Sequence, residues 1–102
     1  MARKLAVVGD GAMGTLCAIL LAENGHEVRL WSAFPQAAAE LAATRENRRF
    51  LPGVRLPESV EVTGDDACAL AGAEMAVSAV PTQFIRRVWQ RLAAHCPRGL
   101  AV

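Results

Sequence analysis

Apolar and polar positions fall into blocks along this chain, and the blocks alternate between two periods. Residues 4–9 (KLAVVG) form a short apolar run closed by glycine, the pattern of a strand buried on both faces. Residues 11–24 are rich in Ala and Leu, and Gly25 behind them suits the left-handed position just past a helix end. Residues 27–32 (EVRLWS) predict a second strand. Pro35 is placed for the first turn of a helix, where its missing N–H would go unpaired anyway, and that helix is expected to reach about Arg45. From 48 to 58 (RRFLPGVRLPE), Pro52-Gly53 and Pro57 interrupt any regular element, so this stretch reads as a loop.

The second half repeats the alternation. Residues 60–63 predict a short third strand, and Asp65 or Asp66 can cap a helix over 67–71 with Gly72 behind it. Residues 74–80 (EMAVSAV) predict a fourth strand ended by Pro81. A helix over 83–95 would place Phe84, Ile85, Val88, Trp89 and Leu92 on one face, with Arg86, Arg87, Gln90 and Arg91 outside that stripe. Residues 100–102 read as the opening of a fifth strand. Regular alternation of strand and helix implies an α/β fold, a parallel sheet covered by helices on both faces. Right-handed crossovers favour a doubly wound, Rossmann-like arrangement with expected order 3-2-1-4-5.

Composition bounds the function. A chain of 102 residues suits one domain, and 53% hydrophobic with 21% charged residues is ordinary for a globular protein. A formal net charge of +1 carries no electrostatic footprint for nucleic acid or an anionic membrane. The basic cluster Arg45, Arg48 and Arg49 is interrupted by Glu46 and Asn47 and reads as a solvated helix end. Cys17, Cys68 and Cys96 are widely spaced and form no C-x-x-C pair. They read as small buried hydrophobes in a reducing compartment, not as a disulfide framework or metal site. The apolar run in residues 1–9 is too short for a signal peptide or a membrane span, so a cytoplasmic location is expected.

The chemistry concentrates in Gly9-Asp10-Gly11-Ala12-Met13-Gly14, which fits G-x-G-x-x-G. That pattern alone is weak, but here it follows a predicted strand and opens a predicted helix within a βαβ unit. Each glycine has its own role in such a dinucleotide loop. Gly9 permits the tight turn, Gly11 removes a Cβ that would block a pyrophosphate, and Gly14 lets the helix approach the sheet. Exposed N–H groups and the positive end of the helix then favour phosphate. Asp10 is out of keeping, since a carboxylate near pyrophosphate is unfavourable; it is expected to point to solvent or to cap the turn. NAD-selective domains usually carry an acidic residue about 20 positions further on, for the ribose hydroxyls. This chain has Trp31-Ser32-Ala33-Phe34 there, with neither a carboxylate to repel a 2′-phosphate nor an adjacent arginine to attract one. NAD and NADP both stay open as cofactors, and Trp31 reads equally as an adenine contact or a core tryptophan.

With these residues in view, the sequence resembles the N-terminal part of NAD(P)-dependent glycerol-3-phosphate dehydrogenases. Beyond the glycine loop, residues 24–31 (NGHEVRLW), 46–57 (ENRRFLPGVRLP) and 80–84 (VPTQF) fall in that family's order, and the middle segment is the most specific. The resemblance implies reversible reduction of dihydroxyacetone phosphate to sn-glycerol 3-phosphate, which feeds phospholipid synthesis. It implies that Gly9, Gly11 and Gly14 hold the cofactor pyrophosphate, with Ala12 and Met13 at backbone contacts. Trp31, Ser32 and Ala33 would lie toward the adenosine end. Pro81 and Phe84 would lie beside the nicotinamide, although Phe84 reads equally as one more apolar contact of the last helix. One departure is Ala33, where the family often has Arg, His or Phe.

No catalytic residue is assigned. Lys4 and His26 are expected at the sheet edge opposite the loop, and His95 is expected to return to that edge. The family's catalytic lysines lie in regions beyond residue 102, partly in a helical substrate-binding domain that is absent here. The chain is therefore expected to be a single truncated cofactor domain that binds dinucleotide without catalysing reduction. A phosphorylated substrate would be bound only by the longer parent. An uncovered sheet edge leads to the further expectation of a homodimer. Two other readings stay open: a stand-alone dinucleotide-sensing module, and a ketopantoate-reductase-like enzyme, against which the ENRRFLPGVRLP segment argues.

Overall fold

Continuous apolar runs are buried on both faces only inside a parallel sheet, and that is where the first strand lies. In the computed structural model, residues 3–47, 52–97 and 100 are described. Strand β1 (Lys4–Val8) is flanked by β2 (Glu27–Trp31) and β4 (Met75–Ser78), and β3 (Glu61–Thr63) lies beyond β2. The order is β3-β2-β1-β4 and every pair is parallel. This matches the first four positions of the expected arrangement. Of the expected fifth strand, residues 101 and 102 lie outside the described residues.

Among the described residues, four α-helices cover the sheet: α1 (Ala12–Glu23), α2 (Pro35–Thr44), α3 (Asp66–Leu70) and α4 (Ile85–Leu92). Successive strand residues feed opposite cores. Val7, Val28 and Leu30 pack with Ala18 and Ile19 of α1 and Leu41 of α2. Ala6, Val8, Trp31 and Ala76 pack with Ala69 and Leu70 of α3 and with Leu92. The helix boundaries follow their local signals. Gly25 takes φ +87 behind α1, Pro35 opens α2, and the Asp65 carboxylate accepts the Cys68 N–H at 2.9 Å to cap α3.

Several expectations are corrected. The last helix is not continuous: Thr82–Phe84 and Ala93–His95 are tighter 3₁₀ turns around α4. Only Leu92 of the expected stripe is fully buried; Val88 and Trp89 are half-buried, and Phe84 and Ile85 are exposed. The cause is geometric, since a 3₁₀ turn advances each side chain further than an α turn and carries Phe84 off the packed face. His95 closes its turn beside α3. The thiols are not core residues, because Cys17 and Cys68 are half-buried and Cys96 is exposed.

Arg45 is also no solvated helix end. It takes the left-handed position after α2 (φ 59), and its guanidinium donates to the carbonyls of Pro57 and Val60. Its companions Arg48 and Arg49 lie outside the described residues. The segment 52–60 is anchored as well: Leu56 and Val60 are buried in the α1/α2 core, and Glu46 and Arg55 form an isolated antiparallel bridge.

The other core is tied by a polar cluster that side-chain periodicity does not reveal. Trp31 is enclosed, and its indole N–H donates to Asp66 Oδ1 at 2.9 Å. Arg91, expected outside the packed stripe, donates from Nε to Asp66 Oδ2 at 2.7 Å and from a terminal nitrogen to the Ala33 carbonyl at 3.1 Å. Its guanidinium carbon lies 5.1 Å from the centre of the Trp31 ring, within cation–π range. Burial raises the Asp66 carboxyl, but the bonds from Arg91 and Trp31 and the charges of Arg91 and His95 outweigh it. They hold the group below the ordinary aspartate value.

Asp66→Ala is expected to strand the indole N–H and to destabilise the chain by about 1–3 kcal/mol in urea unfolding. Because the folded-state carboxyl is lowered, its stabilisation is present above the unfolded value of about 3.9 and is lost as pH falls through the lower folded value. Asp66→Asn should therefore flatten the acid limb of the stability profile below about pH 4, read by unfolding curves across pH.

Candidate functional site

The strand order reverses its direction of growth between β1 and β4, and the crevice outside the carboxyl ends of such strands is where ligands of open α/β sheets sit. Gly9 leaves β1 with φ +118, a conformation that L side chains rarely adopt. Its N–H still pairs with the Trp31 carbonyl at 3.1 Å, and a Cβ there would come within 2.7 Å of the Ala79 carbonyl oxygen. Gly9 thus serves the turn by conformation and by clearance against the chain leaving β4. Gly14 serves the packing, since a Cβ there would fall on the Gly9 carbonyl oxygen.

Gly11 differs from both. Its φ is −70, open to any residue, and an added Cβ would meet no atom within 4 Å. Nothing within the described protein requires glycine at this position. It is the N-cap of α1 and supplies no side-chain cap, and the first backbone bond of the helix runs from the Thr15 N–H to the Gly11 carbonyl at 2.9 Å. The first-turn amides of Ala12, Met13 and Gly14 therefore present the unpaired donors and positive dipole end that suit an anion. Ala12 and Met13 are exposed there, and Gly14 is buried.

The loop is held from behind by a polar cluster absent from the sequence reading. Asn47 Nδ2 donates to the Asp10 carbonyl at 2.6 Å and to Thr15 Oγ at 2.8 Å, and Thr15 Oγ lies 3.3 Å from the same carbonyl. Thr15 and Asn47 are both buried. A buried amide with two acceptors fixes the peptide between the first two glycines, because breaking either bond would leave a polar group dry. The available signal was Asn47's position inside the 46–57 segment, the part of the chain least expected of a generic dinucleotide fold.

The predicted site residues separate into groups. Gly9, Gly11, Ala12, Met13 and Gly14 form one continuous turn. Pro81 and Phe84 lie beyond β4; both are exposed, so Phe84 is not a core contact of the last helix. Ser32 and Ala33 follow β2. Trp31 is withdrawn as an adenine contact because its ring is enclosed and its N–H is committed to Asp66. Ser32 is fully buried, and its hydroxyl donates to Asp10 Oδ2 at 2.9 Å. Asp10 is half-buried and does not cap its own turn, because the bond to Ser32 draws its carboxylate sideways to the end of β2.

Lys4 and His26 lie at the amino edge of the sheet, where His26 Nδ1 accepts the Arg3 N–H at 3.2 Å. A cavity of about 410 Å³ lies at that edge too, lined by Lys4, Glu27, Arg29 and Glu61 among others, away from the glycine turn. Among the described residues, no group of three or more His, Cys, Asp or Glu side chains is arranged to hold a metal ion. Among them also, no helix is long and apolar enough to cross a membrane.

Residues 4–102 match the sequence family described as NAD-dependent glycerol-3-phosphate dehydrogenase N-terminus. The chain is 46% identical over 102 residues to glycerol-3-phosphate dehydrogenase (NAD(P)+) of Geobacter sp., covering 100% of this chain and 30% of that relative. It is 47% identical over 88 residues to the enzyme of the same description from Geobacillus thermodenitrificans, covering 86% of this chain and 26% of the relative. The crystal structure of glycerol-3-phosphate dehydrogenase from Coxiella burnetii superposes with a TM-score of 0.90 at 29% identity, over 97% of this chain and 30% of that one. The chain thus spans about 30% of the length of the curated relatives it matches.

Asn47→Leu keeps the volume but removes both donors. It is expected to cost about 1–3 kcal/mol in chemical denaturation. It should also speed amide hydrogen exchange across residues 10–15, while exchange in β1 follows only the global change.

Proposed function

The chain belongs to the family of NAD-dependent glycerol-3-phosphate dehydrogenase N-terminal domains, and on that premise we propose that its glycine turn binds the pyrophosphate of NAD(H) or NADP(H) for the reduction of dihydroxyacetone phosphate. The observation that carries this assignment is Gly11. Neither backbone conformation nor any neighbour within 4 Å asks for glycine there, so the space its missing Cβ leaves is kept for a ligand. The residues around it fit the group: unpaired first-turn donors, the amino end of a twelve-residue helix, and an opening at the reversal of strand order.

When bound, the cofactor supplies the hydride, and the overall reaction is dihydroxyacetone phosphate + NAD(P)H + H⁺ giving sn-glycerol 3-phosphate + NAD(P)⁺. In this reading the amides of Ala12 and Met13 hold the pyrophosphate and Gly14 seats the helix against the turn. Asp10, held by Ser32, and Ala33 flank the adenosine, while Pro81 and Phe84 line the nicotinamide side. We assign no proton donor within the chain, since Lys4 and His26 sit at the far edge of the sheet. The proton donor and the groups for the substrate phosphate are proposed to belong to the longer enzyme, in a cytoplasmic setting suited to its free thiols.

Self-association is part of the same proposal. Met13, Leu16 and Leu20 form an exposed apolar stripe along α1, and among the described residues the outer edge of β4 pairs with no strand. A homodimer is expected in sedimentation at high concentration, and a monodisperse monomer there would overturn that element.

Gly11→Thr tests the site itself. Threonine is accepted at an N-cap about as well as glycine, so the free chain should keep its stability to within about 0.5 kcal/mol. Its branched side chain would occupy the pyrophosphate space, and calorimetric titration should show at least about a tenfold loss of affinity for both dinucleotides. Unchanged binding would refute the loop assignment.

A further inference from the structure

The end of β2 carries no acidic residue of its own, yet the fold delivers a carboxylate to it. Gly9 keeps its N–H paired to the Trp31 carbonyl, so the turn stays alongside β2 after β1 has ended. Asp10 comes next, and its side chain crosses to β2, where Oδ2 accepts the Ser32 hydroxyl proton at 2.9 Å. Ser32 is itself held in place: it is fully buried, its N–H donates to the Thr63 carbonyl at 3.0 Å, and its oxygen lies 3.4 Å from the Phe34 N–H. Asp10 is only half-buried, and it follows directly on the carboxyl end of β1, where the strands open on the crevice.

That place is where an acidic residue accepts the ribose hydroxyls in NAD-selective domains of this architecture. We propose that Asp10, positioned by Ser32, is the residue that selects NAD(H) over NADP(H) in this chain. The inference rests on the reading of the glycine turn as the pyrophosphate site, and it names which dinucleotide that site takes. One carboxylate oxygen is engaged by Ser32, and the other accepts a ribose hydroxyl proton. A 2′-phosphate offers no such proton and brings about two negative charges against the carboxylate. The cation that α4 brings to this end of β2, Arg91, does not offset the repulsion, because its Nε is paired with Asp66 at 2.7 Å. The same geometry accounts for an acidic residue inside a phosphate loop: the carboxylate is drawn sideways to the adenosine end and held there by a buried donor.

The test is calorimetric titration of the 102-residue chain with NADH and NADPH, for the native sequence, Asp10→Asn and Ser32→Ala. The native chain is expected to bind NADH at least about tenfold more tightly than NADPH, the size a like-charge contact near a protein surface supports. Asp10→Asn keeps an acceptor for Ser32 and removes only the charge, so the gap should close to about threefold or less, chiefly by a gain in NADPH affinity. Ser32→Ala keeps the charge and frees it from β2, so NADH affinity should fall while the gap narrows. A native chain that binds NADPH as tightly as NADH overturns the inference, as does an Asp10→Asn gap equal to the native one. Native binding of neither dinucleotide overturns the pyrophosphate reading itself, and the inference with it. Thermal melts of both variants identify any loss that comes from unfolding.

Discussion

Everything at the carboxyl end of this sheet depends on how closely α1 approaches the turn after β1. No side chain separates Gly14 from the Gly9 carbonyl, so the first turn of the helix rests directly on the backbone that leaves the strand. That contact aims the amino end of the helix at the crevice between β1 and β4. It also puts Thr15 beneath the turn, within reach of Asn47, and leaves Asp10 beside the end of β2. A larger residue at position 14 would shift the helix and disturb all three arrangements together.

Two polar clusters then stiffen the two sides of the turn. On the α1/α2 side, Asn47 holds the Asp10 peptide through its carbonyl, and the segment bearing it is anchored by Leu56, Val60 and the Arg45 guanidinium. On the other side, Trp31, Asp66 and Arg91 join β2, α3 and α4 and fix the strand end that Ser32 continues. Each cluster has a buried member at its centre, Asn47 in one and Trp31 in the other, where a satisfied hydrogen bond is strong and an unsatisfied group is costly, so each acts as a positional constraint more than as a reservoir of stability.

The strand and helix series was legible because its signals are local. Apolar runs, Pro35, Gly25 and the Asp65/Asp66 pair mark their elements within a few residues, and the observed bounds differ from the expected ones by little. The last helix was misread because an apolar period of 3.6 does not reveal where a helix tightens to 3₁₀, and Phe84 came out exposed as a result. The glycine turn was readable for the same local reason. Trp31 was not, because a tryptophan at a strand end looks alike whether its N–H meets a ligand or an aspartate 35 positions away.

Sequence by itself therefore determined the α/β alternation, the position of the glycine turn and the resemblance to a dehydrogenase cofactor domain. All of these rest on residue types at short, fixed spacings, where backbone conformation and periodicity dominate. The tertiary structure alone decided what surrounds the turn: that Gly11 answers to no neighbour, that Asn47 holds the loop, and that Asp10 is drawn to Ser32. The last two are pairings between groups 22 and 37 residues apart, directional over about 3 Å, and no periodicity in the chain encodes them. They exist only once the sheet has brought the ends of its strands side by side.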